Sequence, residues 1–293
     1  MLKAIQAELY KLFKNRTFKV LICVAVLLST LTVVMCSSVF EKILNDSLGN
    51  MPQDQKEVLM EQLTNMSESE AIVTPGQLGI QLQAKDMMNP TSIEVYHASF
   101  GSGVIEIIIG ILVGALIAKE YSQGTIKNFL AYGKRREEFY LAKFVSMVIA
   151  VTIILAVMTI LPTIVVTLMN GWGKAFEISQ LLGMIKTFVA SVIAGSAVAA
   201  LAMIIATLVK SNGATIGITV AIFIGIPTLA GFLYGIYPWF DRVYEVLPFY
   251  NSALATSIKA GNGDLLRSVI ISLVTIAISL FVGIKIFKSQ DIK

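Results

Sequence analysis

The stretch AKEYSQGTIKNFLAYGKRREEFYLAKF, Ala118–Phe144, separates two long apolar runs and carries six Lys/Arg residues. Its surroundings decide the fold class. The chain has 293 residues, of which 56% are hydrophobic and 14% charged. Apolar runs of roughly 18 residues or more read as membrane-spanning helices. Six such runs are predicted: Phe18–Phe40, Ser102–Ala118, Phe144–Met169, Leu181–Val209, Thr215–Tyr237 and Leu266–Phe287. Six spans place both termini on one side. If that side is cytoplasmic, the inner segments with Lys19 hold 15 of 23 Lys/Arg and 5 of 19 Asp/Glu, a net +10 against −6 elsewhere. The Lys/Arg bias sets orientation. It predicts an all-α integral membrane protein with six transmembrane helices, an N-terminal interfacial helix and both termini cytoplasmic. Polarised charge of this kind explains the basic residues without nucleic acid.

The polar segments divide this single membrane domain. Residues 1–17 are amphipathic: Ile5, Leu9, Leu12 and Phe13 share a face, while Lys3, Lys11 and Lys14 suit anionic headgroups. Residues 41–100 form an outer loop with nine acids and a short helical pattern, Val58, Leu59, Leu63 and Met66. That loop reads equally as a cap, a substrate contact or a solvated connection. Residues 238–264 are too polar to span and rich in aromatics, with Pro238 and Pro248 dividing them into short pieces. A re-entrant segment of outer-leaflet helices fits. Cys23 and Cys36 lie about 20 Å apart along one helix, too far to bridge. His97 has no Cys or His partner nearby, so no metal site is expected.

There is no phosphate-binding loop, no H-E-x-x-H and no G-x-S-x-G elbow. Glu106 is the clear ionisable residue within the spans, near the outer end of the second, and Lys186 sits near the outer end of the fourth; both read either as functional or as snorkelling to the interface. Small residues recur every fourth position at Gly110, Gly114 and Ala118, and again at Gly213, Gly217, Ala221 and Gly225, predicting closely packed helices. Within the opening stretch, Gly124 permits a sharp turn and Thr125 can cap a new helix. Ile126, Phe129 and Leu130 then share one face, and Gly133 ends the helix. Such a knob fits a groove in a partner or dips into lipid.

Three segments carry a family resemblance. EYSQGTIKNFLAYGKRREEFYLAKF resembles the region between spans two and three of ABC type-two transporter permeases, through Glu120, Tyr121, Gly124, Thr125, Arg135 or Arg136, and Lys143. AELYKLFKNRTF (Ala7–Phe18) is similar to that family's interfacial helix, and LPFYN (Leu247–Asn251) to its outer segment. The resemblance covers the chain and is nearest to the bacitracin/lantibiotic-type peptide exporters. It implies a multi-pass permease subunit in the bacterial cytoplasmic membrane, moving or removing a hydrophobic or amphipathic peptide or antibiotic. A second permease half, identical or not, would complete the path. An ABC ATPase dimer would carry ATP and Mg, with no cofactor bound by this chain and no covalent chemistry of its own. Glu120, Gly124, Thr125, Ile126, Phe129, Leu130, Arg135 and Arg136 would form the ATPase-coupling segment, with Glu106 on the substrate path. The other readings are an ion-coupled secondary carrier using Glu106, and a non-transporting scaffold or sensor.

Overall fold

The computed structural model describes residues 1–36, 72–84, 90–126, 135–173 and 175–290, with isolated positions between 42 and 58. Leu59, Leu63 and Met66 of the outer-loop pattern lie outside the described residues. Helix α1 (Leu2–Lys14) meets α2 (Arg16–Met35) at Asn15, whose side chain accepts hydrogen bonds from Thr17 N and Phe18 N at 2.8 and 3.3 Å. This cap starts a second helix where the first stops, so the chain turns without leaving amide groups bare. Helix α3 (Ser92–Ala98) opens on a capping box of Thr91 and Glu94.

Helix α4 (Val104–Val113) continues through a π turn (Gly114–Ala118) into α5 (Lys119–Ser122). Then come α6 (Arg136–Asn170) and α7 (Ile178–Val209). Helix α8 (Asn212–Val220) passes through a second π turn (Ala221–Gly225) into α9 (Ile226–Gly231). Short helices α10 (Pro238–Tyr244) and α11 (Pro248–Thr256) precede α12 (Asn262–Ser289). Proline sits at the start of both short helices, where its missing N–H costs nothing.

Five helices are long and apolar enough to cross a membrane: Arg16–Met35, Arg136–Asn170, Ile178–Val209, Asn212–Gly231 and Asn262–Ser289. The run from Val104 to Ser122 is shorter, and it bears Glu106, Lys119 and Glu120 near its ends. Nevertheless it forms the centre of the bundle. From Val104 to Ala118 every residue is buried except Val104, Ile107 and Ile111. Helix α4 packs on α7 and α8, α6 packs on α1, α2 and α3, and α12 lies along α7.

The two rows of small residues behave differently. A Cβ placed on Gly114 would lie 2.5 Å from Asn212 Oδ1 and 2.8 Å from Ile216 Cγ1, so glycine is what lets α4 and α8 meet this closely. Gly213, Gly217 and Gly225 meet nothing within 4 Å, and Ala221 is exposed. That row faces outward, contrary to the packed helix expected from its spacing, because a four-residue period identifies a face but not what covers it.

At the end of the bundle away from α1, residues 72–84 lie across the helix ends. Gly79 N–H donates to Ser102 O at 2.8 Å and Ser102 N–H returns a bond to Gly79 O at 3.0 Å. Ser257 Oγ donates to Ile72 O at 2.7 Å, and Val73 packs with Tyr244, Tyr250 and Leu254. We call this the capped end and the α1 end the charged end.

Candidate functional site

At the charged end a lysine meets two carboxylates. Helix α1 buries a stripe at spacing four, Ala4, Glu8 and Leu12, with an acid in its middle. Ile5 and Leu9 are only partly buried and Phe13 is 52% exposed, so the buried face is not centred where its apolar residues suggested. Lys143 lies on the buried side of α6, between Phe139 and Met147. Its Nζ is 2.5 Å from Glu8 Oε2, 2.8 Å from Glu120 Oε1 and 3.1 Å from Leu116 O. An ammonium has three N–H donors, and all three are used. Leu116 O belongs to the π turn of α4, where the ordinary i→i−4 ladder is disrupted.

Lys11 closes the arrangement, donating to Glu8 at 2.8 Å and to Glu120 at 3.2 Å. The side chains of Glu8 and Lys143 are 1% and 3% exposed, that of Glu120 17% and that of Lys11 46%. Two acids and two bases thus form a neutral cluster with a dry core and a wet rim. Burial works against the charge on Lys11, but Glu120 and Glu8 outweigh it and raise its pKa above the ordinary lysine value. Breaking a buried pair leaves a charge without compensation and costs about 3–5 kcal/mol. The cluster ties α1, α5 and α6 at one point.

Gly124, at φ +66°, closes α5 as the sequence suggested. Its N–H bonds Tyr121 O at 3.2 Å, and Thr125 N–H bonds Glu120 O at 3.1 Å, which is the Schellman pattern of helix termination. Thr125 therefore finishes α5, its hydroxyl reaching back to Glu120 O at 3.4 Å, and helix resumes at Ile126 directly after it. Ile126 is 2% exposed and belongs to the main core. It is not available as part of a knob for a partner, because the closed turn points it back into the bundle. Phe129 and Leu130 lie outside the described residues. Of the two adjacent arginines, Arg135 is exposed before α6. Arg136 donates to the carbonyls of Phe287, Lys288 and Gln290 at 3.1, 2.9 and 2.7 Å, satisfying the C-terminal end of α12.

Glu106 stands apart, near the capped end in the first turn of α4. It is 9% exposed, so it does not snorkel. Ser252 Oγ of α11 donates to its Oε1 at 2.9 Å, while Oε2 is buried with no partner. Lys186 is at the surface, bonded to Asn262 Oδ1 at 3.1 Å. Among the described residues no group of His, Cys, Asp and Glu is placed to hold a metal.

Sequence reasoning singled out Glu120 and Lys143 through their motif but not their meeting with Glu8. The available signal was that Glu8 interrupts the stripe formed by Ala4 and Leu12. Ser252 carried no signal, since a serine in a polar segment reads as solvated. Comparison with curated proteins finds no match. Residues 86–293, which start after the cap and take in α3 through α12, match a family, and the chain belongs to it: that described as protein of unknown function (DUF2705).

Proposed function

We propose that this chain is the membrane-spanning permease subunit of an ATP-driven ABC exporter in a bacterial cytoplasmic membrane. In this reading α4–α5 is a sixth span, both termini are cytoplasmic, and the charged end faces the ATPase. A second permease half completes the path, and the cargo is a hydrophobic or amphipathic peptide or antibiotic. ATP and Mg act on the partner. The observation that carries the reading is the Glu8–Lys143–Glu120 junction. Two of the three segments that resemble permease motifs supply it: Ala7–Phe18 contributes Glu8, and the stretch between spans two and three contributes Glu120 and Lys143. A displacement of the chain after Gly124 reaches α1 and α6 through these pairs, as a mechanical coupling requires. Site-specific photo-crosslinking from Phe129 in cells tests this. Capture of an ABC ATPase supports it; capture of lipid alone, with the native operon expressed, overturns it.

Burial of Glu106 favours a second reading, an ion-coupled carrier working without an ATPase. Its signature is transport that dissipates with the ion gradient and is lost in Glu106→Gln. ATP-dependent transport that survives gradient collapse excludes it.

A further inference from the structure

Two small cavities lie under the 72–84 cap, of about 70 and 50 Å³. The upper is walled by Gln77, Gln81 and Gln83 of the cap with His97 and Thr256; the lower by Glu106, Ser252, Phe223, Tyr244 and Phe249. Thr74, Phe100, Ser102 and Thr256 wall both, so the two are neighbouring chambers of one vestibule. Each holds a buried acceptor lacking a donor: Gln83 Oε1 above and Glu106 Oε2 below. Among the described residues the walls include Glu106 and no Lys or Arg, and they also include Glu94, which accepts from the N–H and hydroxyl of Thr91 at 2.7 and 2.8 Å. His97 Nδ1 is already engaged with Thr256 O at 3.0 Å.

A buried acceptor without a partner carries a desolvation cost that an incoming donor removes. Two such acceptors, one of them a carboxylate oxygen, select a donor that is also a cation. The lower chamber adds aromatic faces, with Phe223 and Phe249 edge-to-face at 5.2 Å. Aromatic faces favour a cation and its alkyl stem. The space suits a head group, not a whole peptide.

From this geometry we infer that the vestibule binds a primary ammonium group on an apolar stem, its N–H donated to Glu106 Oε2 and the stem lying against Phe223 and Phe249. That chemistry belongs both to a lysine or ornithine side chain of an amphipathic peptide and to an aminophospholipid headgroup. The inference deepens the transport reading by naming the cargo's chemistry. It rests on that reading only in treating the ligand as cargo.

The test uses the purified full chain in phosphatidylcholine nanodiscs without any ATPase, so its failure is separate from a failure of coupling. Saturable binding of labelled dodecylamine, above that of empty discs, is compared with dodecyltrimethylammonium, which has the charge but no N–H. The amine is expected to bind about tenfold tighter than its quaternary analogue, and Glu106→Gln to weaken it about tenfold. Gln83→Leu should weaken it several-fold through the other acceptor, and the remote Glu138→Gln should bind as wild type. Equal binding of the two amphiphiles overturns the inference, as does unchanged binding in a Glu106→Gln protein that melts like the wild type. If Glu106→Gln does not fold, unchanged binding by Gln83→Leu overturns it instead. Competition by phosphatidylethanolamine added to the discs assigns the lipid headgroup, and competition by palmitoyl-tetralysine the peptide. Competition by neither counts against a ligand site.

Discussion

Two buried acids, Glu8 and Glu106, sit at opposite ends of one bundle and are treated in opposite ways. Glu8 is matched by Lys143 and Lys11, within a cluster whose charges cancel. Glu106 has one serine hydroxyl on one oxygen and no hydrogen-bond partner on the other. A saturated network fixes the position of the helices that supply it. An unsaturated one leaves binding capacity in place, at a cost in stability. The charged end is thus built as a joint and the capped end as a receptacle.

The largest test removes the joint. Lys143→Met leaves Glu8 and Glu120 sharing only the half-exposed Lys11 and is expected to lower stability by about 3–5 kcal/mol, read as thermal unfolding in detergent. Adding Glu8→Gln and Glu120→Gln to Lys143→Met should recover more than half of that loss, because no buried charge then lacks a partner. Failure to recover would mean that Lys143 acts through packing alone. Between the two ends runs the α4–α8 contact. Gly114→Ala should cost about 1–3 kcal/mol by overpacking against Asn212 and Ile216. Gly217→Ala, on the open face of the same contact helix, should stay within about 0.5 kcal/mol. Similar losses at both positions would show that the open face is covered in the assembled protein.

At the capped end, burial lowers the pKa of His97, partly opposed by its bond to Thr256. The unfolded chain then binds the proton more readily than the folded one. Stability from this group is complete above the ordinary histidine pKa of about 6.5 and declines as pH falls through it, by at most about 1.4 kcal/mol per pH unit. Melting temperatures at pH 7.5 and 5 should differ less in His97→Gln than in the wild type. A small effect is also expected at Glu106→Gln. The amide oxygen still accepts from Ser252, and stability should change by less than about 1 kcal/mol. A loss as large as that of Lys143→Met would erase the distinction between the two ends.

The helical, membrane-spanning character was legible in the apolar runs, and so were the turn at Gly124 and the short helices after Pro238 and Pro248. The burial of Ile126 was not. Periodicity marks a residue as apolar and facing one way, and bundle interior, lipid and partner groove all satisfy that mark. The outward-facing Gly217 row shows the same ambiguity in reverse. The junction was half legible. Glu120 and Lys143 stood within one motif, but charge partners more than a hundred residues apart leave no local pattern, and Glu8 looked like one acid on a basic amphipathic helix. Glu106 was visible as a charge in a span. Its burial depends on α11 and the cap, which the span itself does not encode.

The π turn at Gly114–Ala118 lies between Glu106 and Glu120 on one continuous helical run. A π turn takes in one residue more than an α turn, and each residue of an α-helix advances the facing direction by about 100°. Were the same residues to take plain α geometry, Glu120 would swing about that far around the axis relative to Glu106. One acid then loses its socket whenever the other keeps its own. The π turn absorbs one residue of the chain, and by doing so it keeps the two ends in step.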